Sequence, residues 1–146
     1  MKRRVNIAVI GTGRMGSVHA RNLARAIPQA NLVALCDIRL EVAQALADEL
    51  GVPRVVRDYH DLLTDKDIEA MLIATPTDTH AFIVEDVAAA GKHIFCEKPI
   101  ALDLAEVDRA LAAVEKAGVK FQVGFNRRFD KNFQRVHDIV ASGELG

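Results

Sequence analysis

Two runs, Ile7-Ala8-Val9-Ile10 and Met71-Leu72-Ile73-Ala74, are apolar at every position, and this removes most folds from consideration. A strand with one wet face alternates, whereas a strand apolar throughout is covered on both faces, as in a parallel sheet packed between helices. Parallel neighbours need long crossovers, and the chain supplies them. Strands are expected at Val5–Ile10, Asn31–Cys36, Val55–Val56, Ala70–Ala74, Ile94–Cys96 and Phe121–Val123. Between them lie helical patterns: Met15–Ile27 with Met15, Val18, Leu23 and Ala26; Arg39–Leu50 with Val42, Ala45, Leu46 and Leu50; a short helix over Tyr59–Leu63; and His80–Ala90. Leu104, Val107, Leu111 and Val114 mark a fifth helix, and Phe133, Val136, His137 and Val140 a last one. The expected class is α/β, a doubly wound, mostly parallel sheet.

Glycine placement supports this reading. Gly51, Gly91, Gly118 and Gly143 each follow a proposed helix, where a left-handed residue ends the last turn. Gly11, Gly13 and Gly16 need another explanation, as does Gly124 after the sixth strand. Gly11-Thr12-Gly13-Arg14-Met15-Gly16 is G-x-G-x-x-G, follows a buried strand, opens a helix, and is followed by Asp37 at the end of the second strand, 21 residues after Gly16. In a Rossmann fold the first glycine permits a tight turn. The second lets the backbone approach a pyrophosphate, and the third lets the helix pack close to the sheet. Amides at the helix start would then face the anion. Asp37 would accept hydrogen bonds from a ribose 2′-OH and repel a 2′-phosphate, which favours NAD. Arg39 could reverse that preference and admit NADP.

Ligands of open α/β sheets bind outside the carboxyl ends of the strands. Those ends carry Gly11, Asp37, Thr75-Pro76-Thr77, Glu97-Lys98-Pro99 and Gly124-Phe125-Asn126, all expected on one edge. Lys98, between an apolar strand and a proline, is a candidate for partial desolvation, a lowered pKa and proton transfer; the competing reading is a solvated lysine. Glu97 could orient Lys98 or bind a ribose. His80 follows Thr77-Asp78-Thr79, where Thr77 or Thr79 would cap the next helix, so a structural role weighs as much as a catalytic one. His19 reads as helix packing.

Composition narrows the rest. A chain of 146 residues with 50% hydrophobic residues can bury a core without staples. Nineteen basic against 20 acidic residues, with no like-charge block longer than Lys2-Arg3-Arg4, argue against nucleic acid. No apolar stretch approaches the roughly 20 residues of a membrane span, and the expected compartment is the cytoplasm. Cys36 and Cys96, on strands three spacings apart, are read as buried thiols, and the five scattered histidines suggest no metal.

With these residues in hand, and above all Glu97-Lys98-Pro99, the sequence resembles the Gfo/Idh/MocA oxidoreductases. Gly124-Phe125-Asn126-Arg127-Arg128-Phe129 looks most like their inositol dehydrogenase branch. The resemblance implies NAD(P)-dependent oxidation of a secondary alcohol on a sugar or cyclitol, in a homo-oligomer. It implies that Lys98 holds the substrate hydroxyl and relays its proton, that Thr75, Pro76 and Thr77 lie along the cofactor with His80 and Glu97, and that Asn126 and Arg127 lie near the substrate. It also implies a dinucleotide-binding domain over 1–125 and, over 126–146, a last helix and the start of a linker to a substrate domain outside this chain. The aspartate and histidine that complete the family's site would belong to that domain, so the chain alone is expected to turn over poorly. Two other readings remain: a non-catalytic dinucleotide-sensing or partner-binding module of the same fold, and a methyltransferase, which the glycine spacing and Glu97-Lys98-Pro99 disfavour.

Overall fold

The computed structural model describes residues 3–144. Lys2 of the basic block and Leu145-Gly146 of the expected linker lie outside them. Six strands, β1 (Val5–Ile10), β2 (Ala30–Cys36), β3 (Arg54–Val56), β4 (Ala70–Ile73), β5 (His93–Cys96) and β6 (Phe121–Val123), form one parallel sheet in the order β3-β2-β1-β4-β5-β6. The helices are α1 (Arg14–Arg25), α2 (Leu40–Leu50), α3 (His60–Leu63), α4 (His80–Ala89), α5 (Leu104–Ala117) and α6 (Lys131–Ala141), with 3-10 turns over Thr77–Thr79 and Asn126–Phe129. The doubly wound class is therefore observed, with strand order reversing direction between β1 and β4.

Alternate residues of the central strands feed two cores. Ala8, Ile10, Ala34, Met71 and Ile73 pack with α4 and α5, whereas Val9, Leu35 and Leu72 pack with α1 and α2. Both sets are buried, which is why the strands read as unbroken apolar runs. Cys36 and Cys96 are free, buried and three strands apart, and burial pushes both thiols up to about 12.

The helices sit on the sheet through stripes that share only Leu23, Leu46 and Val114 among their buried residues with those expected. On α1 the buried residues are Gly16, Ala20 and Leu23, and on α2 Ala43, Leu46 and Ala47, while Met15, Val18, Ala26 and Ala45 are exposed. On α5 they are Ala110 and Val114, with Leu104 and Leu111 exposed. Small side chains bring helix axes close to a twisted sheet, so alanine and glycine occupy the contact line and bulkier residues flank it. α1 also ends at Arg25, short of Ile27, and Arg39 precedes α2. The last helix forms where its periodicity predicts, yet no residue of α6 is buried.

The strand ends are level. Ile10 pairs with Cys36 and Ile73, Cys36 with Val56, and Cys96 with Ile73 and Val123. The ladder continues one residue beyond: Gly11 N donates to Cys36 O, Ala74 N to Ile10 O, Glu97 N to Ile73 O and Gly124 N to Cys96 O, at 2.8–2.9 Å. The chemistry-bearing tips thus share one edge, across the switch point between β1 and β4.

Candidate functional site

Each glycine of the first turn has its own steric reason. Gly11 has φ +89°, and a Cβ there would lie 2.7 Å from Ala74 O, so neither the backbone conformation nor the space admits a side chain. A Cβ on Gly16 would collide with the Gly11 carbonyl, which lets α1 start directly against the turn. At Gly13 nothing lies within 4 Å of the added carbon. Its bareness serves no contact among the described residues and leaves the backbone open from outside. No side chain caps α1, and its first turn holds no acidic residue. Its first main-chain bond runs from Ser17 N to Gly13 O at 2.9 Å, so the amides ahead of Ser17 follow the general pattern of helix-start donors lacking intrahelical acceptors. An anion fits that concavity.

Asp37 stands at the β2 tip, 8% exposed. Its Oδ2 accepts from Thr12 N and Thr12 Oγ1, both at 2.8 Å, and its Oδ1 accepts from Arg39 N at 2.9 Å. Burial works against its charge, but the bonds from Arg39 N, Thr12 N and the Thr12 hydroxyl, with the Arg39 guanidinium, outweigh it and hold the carboxyl below its ordinary value. The carboxyl is an acceptor on both oxygens, and it lines a hollow at the strand tips. Arg39 Nε lies 3.6 Å from that oxygen on an exposed side chain. A hollow of about 770 Å³ opens beside Gly13 and Asp37, walled by Ile38, Tyr59, Phe82 and Pro76. It suits a planar apolar ring next to a hydroxylated sugar.

A second hollow of about 520 Å³ meets the first at Ala74 and Thr75 and runs to Thr77, Glu97, Lys98 and Asn126. Lys98 and Asn126 also line a third hollow of about 490 Å³, with Arg127 and Arg128. Arg14 and Met15, beside Gly13, line the near wall of the second. Two adjoining chambers split by the β1 and β4 tips, with a helix start between them, match a dinucleotide laid across the switch point.

The far chamber departs from expectation in several places. Lys98 is exposed, so the desolvation expected from its neighbours is not present; an apolar strand before it and a proline after it do not cover a side chain that leaves the edge of the sheet. Glu97 Oε1 accepts from His19 Nε2 at 2.7 Å, and its Oε2 accepts from the Lys98 main-chain amide at 3.2 Å. His19 is therefore part of the edge, its ring set edge-on to Phe95. Its position, three residues after Gly16 on the face turned to the sheet, was the available signal. Gly124 is explained by the same carboxylate: a Cβ there would lie 3.2 Å from Glu97 Oε1 and 3.1 Å from the Phe95 ring.

His80 is buried, with Nδ1 2.7 Å from Pro99 O and Nε2 2.8 Å from Thr75 O. Both ring nitrogens face main-chain carbonyls, tying the β4 and β5 tips together. The expected threonine cap of α4 is not formed, because Thr77–Thr79 wind into a 3-10 turn that runs into the helix, and Thr79 Oγ1 turns back to Pro76 O at 2.7 Å. Arg127 stacks over the Phe133 ring, 4.7 Å from its centroid, and lies 3.7 Å from Asp130. Among the described residues no group of His, Cys, Asp or Glu could hold a metal.

Fold and edge together define a dinucleotide-binding domain. The family model of an oxidoreductase family with an NAD-binding Rossmann fold matches residues 5–125, so the chain belongs to the Gfo/Idh/MocA family, whose dinucleotide is NAD. It is 44% identical over its whole length to an uncharacterized oxidoreductase of Bacillus subtilis and 42% identical, over 97% of its length, to a myo-inositol 2-dehydrogenase of Thermotoga maritima. The chain spans 42% of the length of each. The crystal structure of scyllo-inositol dehydrogenase from Lactobacillus casei with NAD(H) and scyllo-inositol bound superposes with a TM-score of 0.92 at 34% identity, covering 99% of this chain and 43% of that one.

Proposed function

We propose that this chain is the cofactor-binding part of a dehydrogenase that moves a hydride from a secondary alcohol of a cyclitol or sugar to NAD. The observation that carries the reading is the level edge on which the bare helix start, Asp37 and Lys98 stand along one run of hollows. Gly11, Thr12, Gly13, Arg14, Met15 and Gly16 form the turn that takes the diphosphate, with the α1 amides supplying donors. Asp37 accepts from the adenosine ribose, and Arg39 is placed to meet a 2′-phosphate, the route by which NADP would be admitted. Thr75, Pro76 and Thr77 line the path between the chambers; His80 holds Thr75 in place, and Glu97 closes the far end. NAD supplies a ring that accepts the hydride.

Lys98 then serves the reacting alcohol: as the neutral amine it would accept the hydroxyl proton while the hydride leaves carbon, and it would become the ammonium. Asn126 and Arg127 face the same hollow and contact the polyol. The relatives named as inositol dehydrogenases support a cyclitol as substrate. Residues 126–146 belong, in this reading, to the junction with a substrate domain, and the whole protein works in the cytoplasm as a homo-oligomer. Calorimetric titration with NAD and NADH tests the proposal. Binding of both is expected; no heat at millimolar cofactor overturns it, and tight binding together with a protein partner that is no dehydrogenase domain would favour the sensing module.

A further inference from the structure

The Glu97 carboxylate is held by two hydrogen bonds in a place that only a glycine at 124 leaves open. His19 of α1 donates to Oε1 at 2.7 Å, the Lys98 amide donates to Oε2 at 3.2 Å, and Gly124 after β6 presents bare backbone where any side chain would press on the carboxylate. The His19 and Glu97 side chains are only 21% and 13% exposed, so water competes weakly for the contact. Phe95 sets the imidazole from its edge. The same α1 carries at its start the turn that would take the diphosphate.

We infer that His19 is a positioning residue: acting through Glu97, it fixes the main chain at Lys98 and so sets where the lysine ammonium stands at the mouth of the far chamber. The inference rests on the role proposed for Lys98. The physical need is plain, because Lys98 is exposed and its long side chain has little packing to hold it. A flexible four-carbon stem can present its charge at a defined place only if its root is fixed. The two bonds on Glu97 fix that root, and the bare Gly124 leaves the carboxylate room to make them. The pair also links the helix that begins at Gly13 to the tip that bears the lysine.

His19→Ala, His19→Gln and Gly124→Ala separate this role from a purely structural one. A glutamine amide nitrogen reaches about as far as Nε2 and can donate to the same oxygen. Nuclear magnetic resonance of the 146-residue chain reads the Lys98 amide directly, through its proton shift and its exchange with water. In His19→Ala the amide is expected to lose its downfield shift and exchange about tenfold faster. His19→Gln should restore both to within about threefold of the unaltered chain. Gly124→Ala, with His19 intact, should move the His19 ring resonances and the Lys98 amide together.

An unchanged Lys98 amide in His19→Ala, in a chain that melts as the unaltered one does, overturns the inference, as does a change that His19→Gln fails to rescue. Should His19→Ala not fold, Gly124→Ala decides, and resonances moving independently in it overturn the link. Titration of the unaltered chain with NAD keeps the two failures apart. Without binding the proposed function falls; with normal binding and an indifferent Lys98, only the inference about His19 does.

Discussion

Gly13 and Gly16 are three residues apart in one motif, and substitution with the same methyl group should have opposite effects. Gly16→Ala forces a carbon into the Gly11 carbonyl and should cost about 3 kcal/mol of stability or prevent folding, read in a denaturant melt. Gly13→Ala meets nothing and should melt within about 1 kcal/mol of the parent, yet weaken NAD binding at least about tenfold by calorimetry, because the methyl occupies the ligand's place. The sequence pattern already assigned Gly13 the open face and Gly16 the packing role, and the space around each agrees: nothing lies near a Cβ on Gly13, whereas one on Gly16 meets the Gly11 carbonyl. Asp37 was legible as an acid at a strand tip, but its service to Thr12 was not, since residues 25 apart meet only through the fold. That service has a pH consequence. A carboxyl whose folded pKa is lowered adds stability above its unfolded value near 4, and the contribution is lost as pH falls through the lower folded value. The melting temperature should therefore fall as pH drops below about 4, and Asp37→Asn should flatten part of that slope.

At the scale of elements, strands were more legible than the faces of helices. A buried parallel strand needs apolar residues at every position, so its signature survives in a few consecutive residues such as Met71-Leu72-Ile73. A helix against a sheet needs closeness more than bulk. Ala43, Ala47 and Ala110 do the packing, while Val18 and Leu104, which dominate any count of apolar residues, stay exposed. His19 was missed for a related reason: a polar residue on a packed face reads as incidental until its acceptor is known to sit on another strand. The exposed character of α6 was equally hidden, because its periodicity is that of a buried helix. Since none of its residues is buried, a chain ending at Phe125 should melt within a few degrees of the full one, about 1 kcal/mol or less, by differential scanning calorimetry.

For the whole molecule, that uncovered helix governs behaviour in solution. Phe129 and Phe133 are 74% and 51% exposed, near Val136 and Val140, a grouping of apolar surface that monomers seldom leave open. Sedimentation should show a mass that rises with concentration, and the pair Phe129→Ser and Phe133→Ser should bring it back to the monomer. A mass independent of concentration in the parent would show that the face is inert. The exposed Lys98 bears on turnover in the same way. With Lys98 exposed, the chain should bind NAD yet oxidise myo- or scyllo-inositol slowly or not at all, followed as NADH absorbance, because one unscreened lysine does not orient an alcohol.

In the proposed reading, recognition of the adenosine end and grip on the diphosphate would be coupled by one carboxylate, since the acid proposed to meet the sugar also moors the loop at Thr12. Redesign toward a phosphorylated dinucleotide by exchanging Asp37 would therefore unmoor the loop proposed to hold the diphosphate. A working switch would have to give Thr12 a new acceptor at the same time as it gives the extra phosphate a cation.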